Sequence, residues 1–162
     1  MIPIFSRATR TQYLWTYLYV KNRAPCHCMK YIDLFCGIGS FHYSFSRLGW
    51  ECVAASDIYQ PAKDNYRANY GLETLGDICD IDPATIPPYD ILCAGFPCQP
   101  FSQAGFQQGF EDDRGTMFAH IMRFVQYHAP RVVVLENVQA LLNHDDGKSF
   151  ARIKEELNRE GY

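Results

Sequence analysis

The chain has no run of apolar residues near the ~18 that a membrane-spanning helix needs, so no segment of it is expected to cross a bilayer. It has no disulfide pattern either. Its seven cysteines are odd in number and irregular in spacing, which points to a reducing, intracellular compartment, cytoplasmic if the source is prokaryotic. Positive charge is not in excess. The formal net charge is -3, whereas a protein that grips duplex DNA normally shows a basic face. Any such face is therefore local, or lies on a part of the protein outside this sequence. A secretory leader is not expected: Arg7 and Arg10 precede Tyr13–Val20, but that apolar part is short and no small-residue cleavage site follows. Cys26-His27-Cys28 lacks the further ligands that a four-coordinate zinc site requires, so no metal is expected. Internal repeats and low-complexity tracts are also absent.

What is present is a globular chain. At 162 residues, 48% of them hydrophobic, it suffices for one domain that buries about two-thirds of its unfolded surface. Residues 1–28 are aromatic and basic without a clear period, and they are read as an extension outside the fold. From Lys30 the pattern alternates. Strands are expected over Tyr31–Phe35, Cys52–Ser56, Glu73–Leu75, 91–94 and Val132–Leu135, and helices over Ser40–Leu48, Pro61–Tyr70, Thr116–His128 and Gly147–Glu160. Gly49 and Gly71 stop the first two helices, and Pro61 sits in a first turn where its missing N–H is harmless. Strands separated by helices predict an α/β fold with a mostly parallel, doubly wound sheet.

The most informative stretch is Asp90-Ile91-Leu92-Cys93-Ala94-Gly95-Phe96-Pro97-Cys98-Gln99-Pro100-Phe101-Ser102. Ile91 to Ala94 reads as a buried strand, broken by Gly95 and Pro97. Cys98 then falls just past the carboxyl end of a strand, where open α/β sheets hold their ligands. The polar stretch from Gln99 to Gly109 is too long for a simple connection. A lone cysteine is most often a small buried hydrophobe; a thiol at a strand end under a long loop suggests a nucleophile instead.

A second cluster lies upstream. Asp33-Leu34-Phe35-Cys36-Gly37-Ile38-Gly39 occupies the first strand-to-helix turn, where glycines let a ligand approach the backbone and free helix N–H groups suit an anion. Asp57 closes the second strand in the position where an acid can accept from two ribose hydroxyls. Asp77, in Gly76-Asp77-Ile78, ends the third. Together they describe a nucleoside pocket. A nicotinamide-dependent dehydrogenase shares part of this fingerprint, but its third glycine is replaced by His42.

Pro97-Cys98-Gln99 with Phe101-Ser102, the downstream Gly109–Gly115 block, Asp33–Gly39, Asp57, Gly76-Asp77-Ile78 and Glu136-Asn137-Val138 stand in a single order. In that order they resemble the DNA cytosine-5 methyltransferases, from about residue 30 to residue 162. The resemblance implies a Rossmann-like fold and S-adenosyl-L-methionine as cofactor. Phe35 would pack on the adenine, Asp57 would hold the ribose, and Asp77 would accept from the adenine amino group. Gly37, Gly39, Ile58, Ile78 and Pro97 would complete the pocket. Ser40 replaces a frequent family glycine.

Cytosine C5 is a poor nucleophile. The resemblance implies that Cys98 adds to C6 and pushes electron density to C5, while Glu136 holds the N3 edge of the base. Neither side chain reaches a stacked base, so the partner would be double-stranded DNA with a flipped cytosine. Gln99, Ser102 and Gln103 would contact the DNA. Arg114 either binds phosphate or pairs with Asp112 or Asp113.

Family members continue with an Arg-x-Arg segment, a target-recognition domain and a final helix. Residues 29–162 are accordingly expected to be the amino-terminal part of a catalytic domain, in a restriction-modification or host-protection setting. Two alternatives stand beside this reading. One is a catalytically silent fragment that binds cofactor or complements a separate carboxyl-terminal chain; the other is a tRNA cytosine-5 methyltransferase of the same fold.

Overall fold

The computed structural model describes residues 2–5, 14–20, 28–97 and 117–162, the first two segments as backbone only. Its centre is β3 (Lys30–Leu34), which pairs in parallel on both sides, with β4 (Glu51–Ser56) and with β5 (Ile91–Gly95). In turn β5 pairs in parallel with β6 (Val132–Val138). Strands covered on both faces read as continuous apolar runs, and Tyr31–Leu34 and Ile91–Ala94 are buried at every position, Asp33 included.

Side chains alternate across these strands and build two separate layers. Ile32, Leu34, Leu92, Ala94, Val133 and Leu135 pack against Phe118, Ile121 and Phe124 of α3 (Met117–His128) and Ile153 and Leu157 of α4 (Lys148–Arg159). On the opposite face Tyr31, Ile91, Cys93 and Val134 meet Phe41 and Phe45 of α1 (Ser40–Ser46). α2 (Gln60–Tyr70) lies beside α1, with Tyr66 against Cys36 and Ala55. Helices on both faces of a parallel sheet make the expected doubly wound arrangement. Pro61 stands in the first turn of α2, and Gly71, at φ 68°, caps its end. No helix among the described residues is long and apolar enough to cross a membrane.

Three expectations need correction. The strand near Glu73–Leu75 is reduced to a single bridge between Ser56 and Leu75. The strand expected to end at Leu135 runs on to Val138, so Glu136 is a strand residue rather than the first residue past one. Residues 1–28, expected to stand outside the fold, contribute β1 (Ile2–Phe5) and β2 (Leu14–Val20). β2 pairs antiparallel with the whole length of β6, from Leu14 opposite Val138 to Val20 opposite Val132. The physical reason is common to the last two. An outer strand leaves a row of unpaired N–H and C=O groups, and a segment rich in Trp, Tyr, Val and Thr has the composition that sheets favour. The result is a six-stranded sheet in the order β1-β2-β6-β5-β3-β4.

Candidate active site

Because β3, β4, β5 and β6 are parallel, their carboxyl ends lie along one edge of the sheet. Leu34 is level with Ser56 and Ala94, and Gly95 with Glu136. The chain passes from β3 outward to β4 and returns on the other side of β3 as β5. The loops after β3 and β5 therefore diverge, and the crevice between them is where open α/β sheets take their ligands. Phe35–Gly39, Asp57, Asp77 and Pro97 all leave from this edge.

The turn after β3 is held from behind. Phe35 adopts a positive φ of 56°, unusual for a non-glycine residue. Cys36 N–H donates to the Ser56 carbonyl at 3.0 Å. Gly37 N–H donates to Asp57 Oδ2 at 2.8 Å, and Tyr59 N–H to Oδ1 at 2.8 Å. Asp57 is thus locked by the backbone while each oxygen keeps a further lone pair with which to accept. A Cβ on Gly37 would meet nothing within 4 Å, so its outer face is open; one on Gly39 would lie 2.3 Å from the Tyr70 ring. Tyr70 also donates its hydroxyl to the Gly39 carbonyl at 3.0 Å. His42, where a dinucleotide fold has its third glycine, fills the space: its ring stacks on Tyr70 at 3.9 Å and its Nδ1 lies 2.7 Å from the Tyr66 hydroxyl.

The Asp77 side of the crevice has both polarity and an apolar face. Asp77 Oδ1 accepts from the Cys79 N–H at 2.9 Å, and this bond holds the Asp77 carboxyl below its ordinary range. Ile78 is buried and anchors this turn in the core. Ile58, by contrast, is 73% exposed, and Ile38 65%. Large apolar side chains left in solvent beside two carboxylates fit a bound nucleoside, whose ring they would cover. The residues present therefore suit the cofactor that the family motifs imply.

At the other end of the crevice, burial raises the Glu136 carboxyl above its ordinary range. Its Oε2 lies over Gly95: a Cβ built there would approach it to 3.0 Å. The neighbouring Asn137, buried, donates from Nδ2 to the Phe96 carbonyl at 2.8 Å and accepts from the Val138 N–H at 2.8 Å. It ties β6 to the segment that leads into Pro97. Cys98, Gln99, Ser102, Gln103 and Arg114 lie outside the described residues. Sequence reasoning passed over Gly95, Asn137, Cys79, His120 and Arg123. Only Asn137 carried a signal, as a member of the Glu-Asn-Val motif; the others depend on contacts between distant segments.

The profile of the C-5 cytosine-specific DNA methylases matches residues 29–162. Among curated relatives, the chain is 45% identical over 148 residues to the type II methyltransferase M.MspI of Moraxella sp, covering 91% of this chain and 35% of that protein. It is 43% identical over 134 residues to the type II methyltransferase M.HhaI of Haemophilus parahaemolyticus, covering 83% and 41%. The chain thus spans well under half the length of these relatives. Among solved structures, that of a DNMT2 mutant from Spodoptera frugiperda superposes with a TM-score of 0.59 at 27% identity, covering 80% of this chain and 41% of that one. The S. pombe Dnmt2 methyltransferase gives 0.59 at 21%, covering 78% and 41%.

Proposed function

The chain belongs to the C-5 cytosine-specific DNA methylases, and on that premise we propose that it serves the transfer of a methyl group from S-adenosylmethionine to C5 of cytosine in double-stranded DNA. The relatives are named type II methyltransferases, which supports a role in modification within a restriction-modification system, on DNA in the cytoplasm of a prokaryotic cell. The cofactor, when bound, supplies an electrophilic methyl group on sulfur. Asp57 would accept from its ribose, Asp77 would accept from its adenine amino group, and Phe35, Ile58, Ile78 and Pro97 would cover its apolar surface.

On the substrate side, the Cys98 thiolate adds to C6 of a cytosine drawn out of the duplex. This pushes electron density to C5, toward the methyl group that the cofactor would supply as it became a neutral thioether; loss of the C5 proton to solvent, return of any N3 proton to Glu136 and expulsion of the Cys98 thiolate would then restore the ring. Glu136 donates to or accepts from the N3 edge. Its raised pKa, a consequence of burial, favours the protonated form that donates, and a proton given to N3 makes C6 more electrophilic. Gln99, Ser102, Gln103 and Arg114 lie in the segment after Cys98 and make contacts to the DNA.

The observation that carries this reading is the β5–β6 register. It sets Glu136 opposite Gly95, two residues before the Pro97-Cys98 pair. The test is a duplex with 5-fluorocytosine at the target, where the C5 proton needed for elimination is replaced. Incubated with the cofactor, the protein is expected to form an adduct that survives denaturing electrophoresis, and Cys98→Ala to form none. An adduct that persists in Cys98→Ala overturns the nucleophile.

A further inference from the structure

Behind Asp77 lies a chain of polar contacts that the reaction described above does not use. His120 and Arg123 stand three residues apart on α3, and hence on one face of it. Arg123 Nη1 lies 3.1 Å from His120 Nδ1. The same guanidinium donates to the Cys79 carbonyl at 3.3 Å and to the Ile81 carbonyl at 3.1 Å, which fixes its place. His120 Nε2 lies 3.4 Å from Cys79 Sγ. Cys79 donates its backbone N–H to Asp77 Oδ1 at 2.9 Å.

The direction of every bond follows from what each group can donate. A guanidinium has N–H groups and no acceptor, so His120 Nδ1 accepts. A neutral imidazole that accepts at Nδ1 carries its proton on Nε2, and therefore donates to Cys79 Sγ. Burial, with the Arg123 charge adding to it, keeps His120 neutral by lowering its pKa. Cys79 is thus fixed by its sulfur and its carbonyl, and its backbone N–H in turn fixes Asp77 Oδ1. Arg123 and His120 hold the Cys79 turn, and the Cys79 N–H holds Asp77.

A carboxylate held ionised and fixed in rotation accepts and does not donate. It selects a base that presents an amino group and rejects one that presents a carbonyl. We propose that His120 and Arg123 are positioning residues that act through Cys79 to hold Asp77 as an acceptor, and so make the site discriminate adenine from 6-oxopurine cofactors. This rests on the assignment of Asp77 to the adenine amino group.

The experiment is calorimetric titration with S-adenosylhomocysteine and with S-inosylhomocysteine, for the wild type, Asp77→Ala, His120→Ala and His120→Gln. The wild type is expected to prefer the adenine form by at least about tenfold, the scale of a hydrogen bond to a charged group. His120→Ala should reduce that ratio roughly fivefold or more, and His120→Gln should restore it, since an amide accepts from Arg123 and donates to Cys79. Asp77→Ala should abolish it. If Asp77→Ala keeps the preference, or the wild type binds neither ligand, the assignment of Asp77 falls and the proposal with it. If Asp77→Ala loses the preference and His120→Ala keeps it, the assignment stands and the relay falls. Long-range proton–nitrogen NMR reads the imidazole without any ligand: an Nε2–H tautomer near neutral pH is expected, and an Nδ1–H tautomer overturns the relay.

Discussion

Gly95 shows how closely one residue's identity can be tied to another's chemistry. It stands opposite Glu136 in the parallel ladder, and a methyl group added to it would sit 3.0 Å from Glu136 Oε2. Its φ is not positive, so the backbone accepts any residue, and a side chain there would push the Glu136 carboxylate aside. Gly95→Ala should therefore fold normally and bind cofactor with little change in affinity, because the added methyl meets the Phe35 carbonyl only at an ordinary contact distance of 3.9 Å. The displaced carboxylate should lower the rate of methyl transfer about tenfold or more, the scale on which misplacing a catalytic group is felt. Single-turnover rates at saturating cofactor read this directly, and an unchanged rate would mean that the position of Glu136 does not matter. Residue by residue, the acids at the strand ends were legible because their types and order sit in contiguous motifs. Gly95 was visible only as a strand breaker. Cys79, His120 and Arg123 were not visible as a set, since 41 residues separate Cys79 from His120 and no local pattern links them.

At the scale of elements, periodicity located the parallel core because buried strands and amphipathic helices write their environment into the local sequence. It failed where an element depends on a distant partner. Leu14–Val20 has no alternation to mark a buried face, yet it pairs with β6 along its full length, and that pairing extends β6 through Glu136 and Asn137. Both residues then owe part of their alignment to a strand from the start of the chain. Deleting residues 1–28 should expose the β6 edge, which invites self-association. The melting temperature should fall by at least about 4 °C, roughly what 1–2 kcal/mol produces at this length. Scanning calorimetry and sedimentation velocity would show both effects. A variant that stays monomeric and melts at the parental temperature would return this segment to the status of an extension.

For the molecule as a whole, the most consequential group is Asp33, an acid placed in the middle of the sheet. It is fully buried on β3, and neither carboxyl oxygen has a hydrogen-bond partner. The His42 backbone and the Tyr66 hydroxyl come near and favour its charge somewhat, without reaching bonding geometry. Burial outweighs them, the Asp57 charge adds to it, and the Asp33 pKa is pushed up to about 8. Tyr31, Cys36, Cys52, Cys93 and Tyr66 around it are neutral or anionic at any pH, and burial lowers the His42 pKa, so no neighbouring group supplies a compensating cation near neutral pH. The sign follows from proton counting. Between an ordinary unfolded carboxyl near 4 and the folded value near 8, the folded state holds the extra proton. Stability contributed by this group is therefore full below about pH 4 and declines as pH rises to about 8. At pH 7 the accumulated cost is of the order of 4 kcal/mol. Asp33→Asn removes the titration while keeping the shape and the unpartnered polar atoms. Its stability relative to the parent should rise by up to about 1.4 kcal/mol per pH unit between pH 5 and 7, then level off above pH 8. Urea unfolding at pH 5, 7 and 9 measures the difference. Parallel curves for the two proteins across that range would mean that Asp33 finds in solution a partner that keeps it ionised, and the glycine turn beside it would then rest on a buried anion.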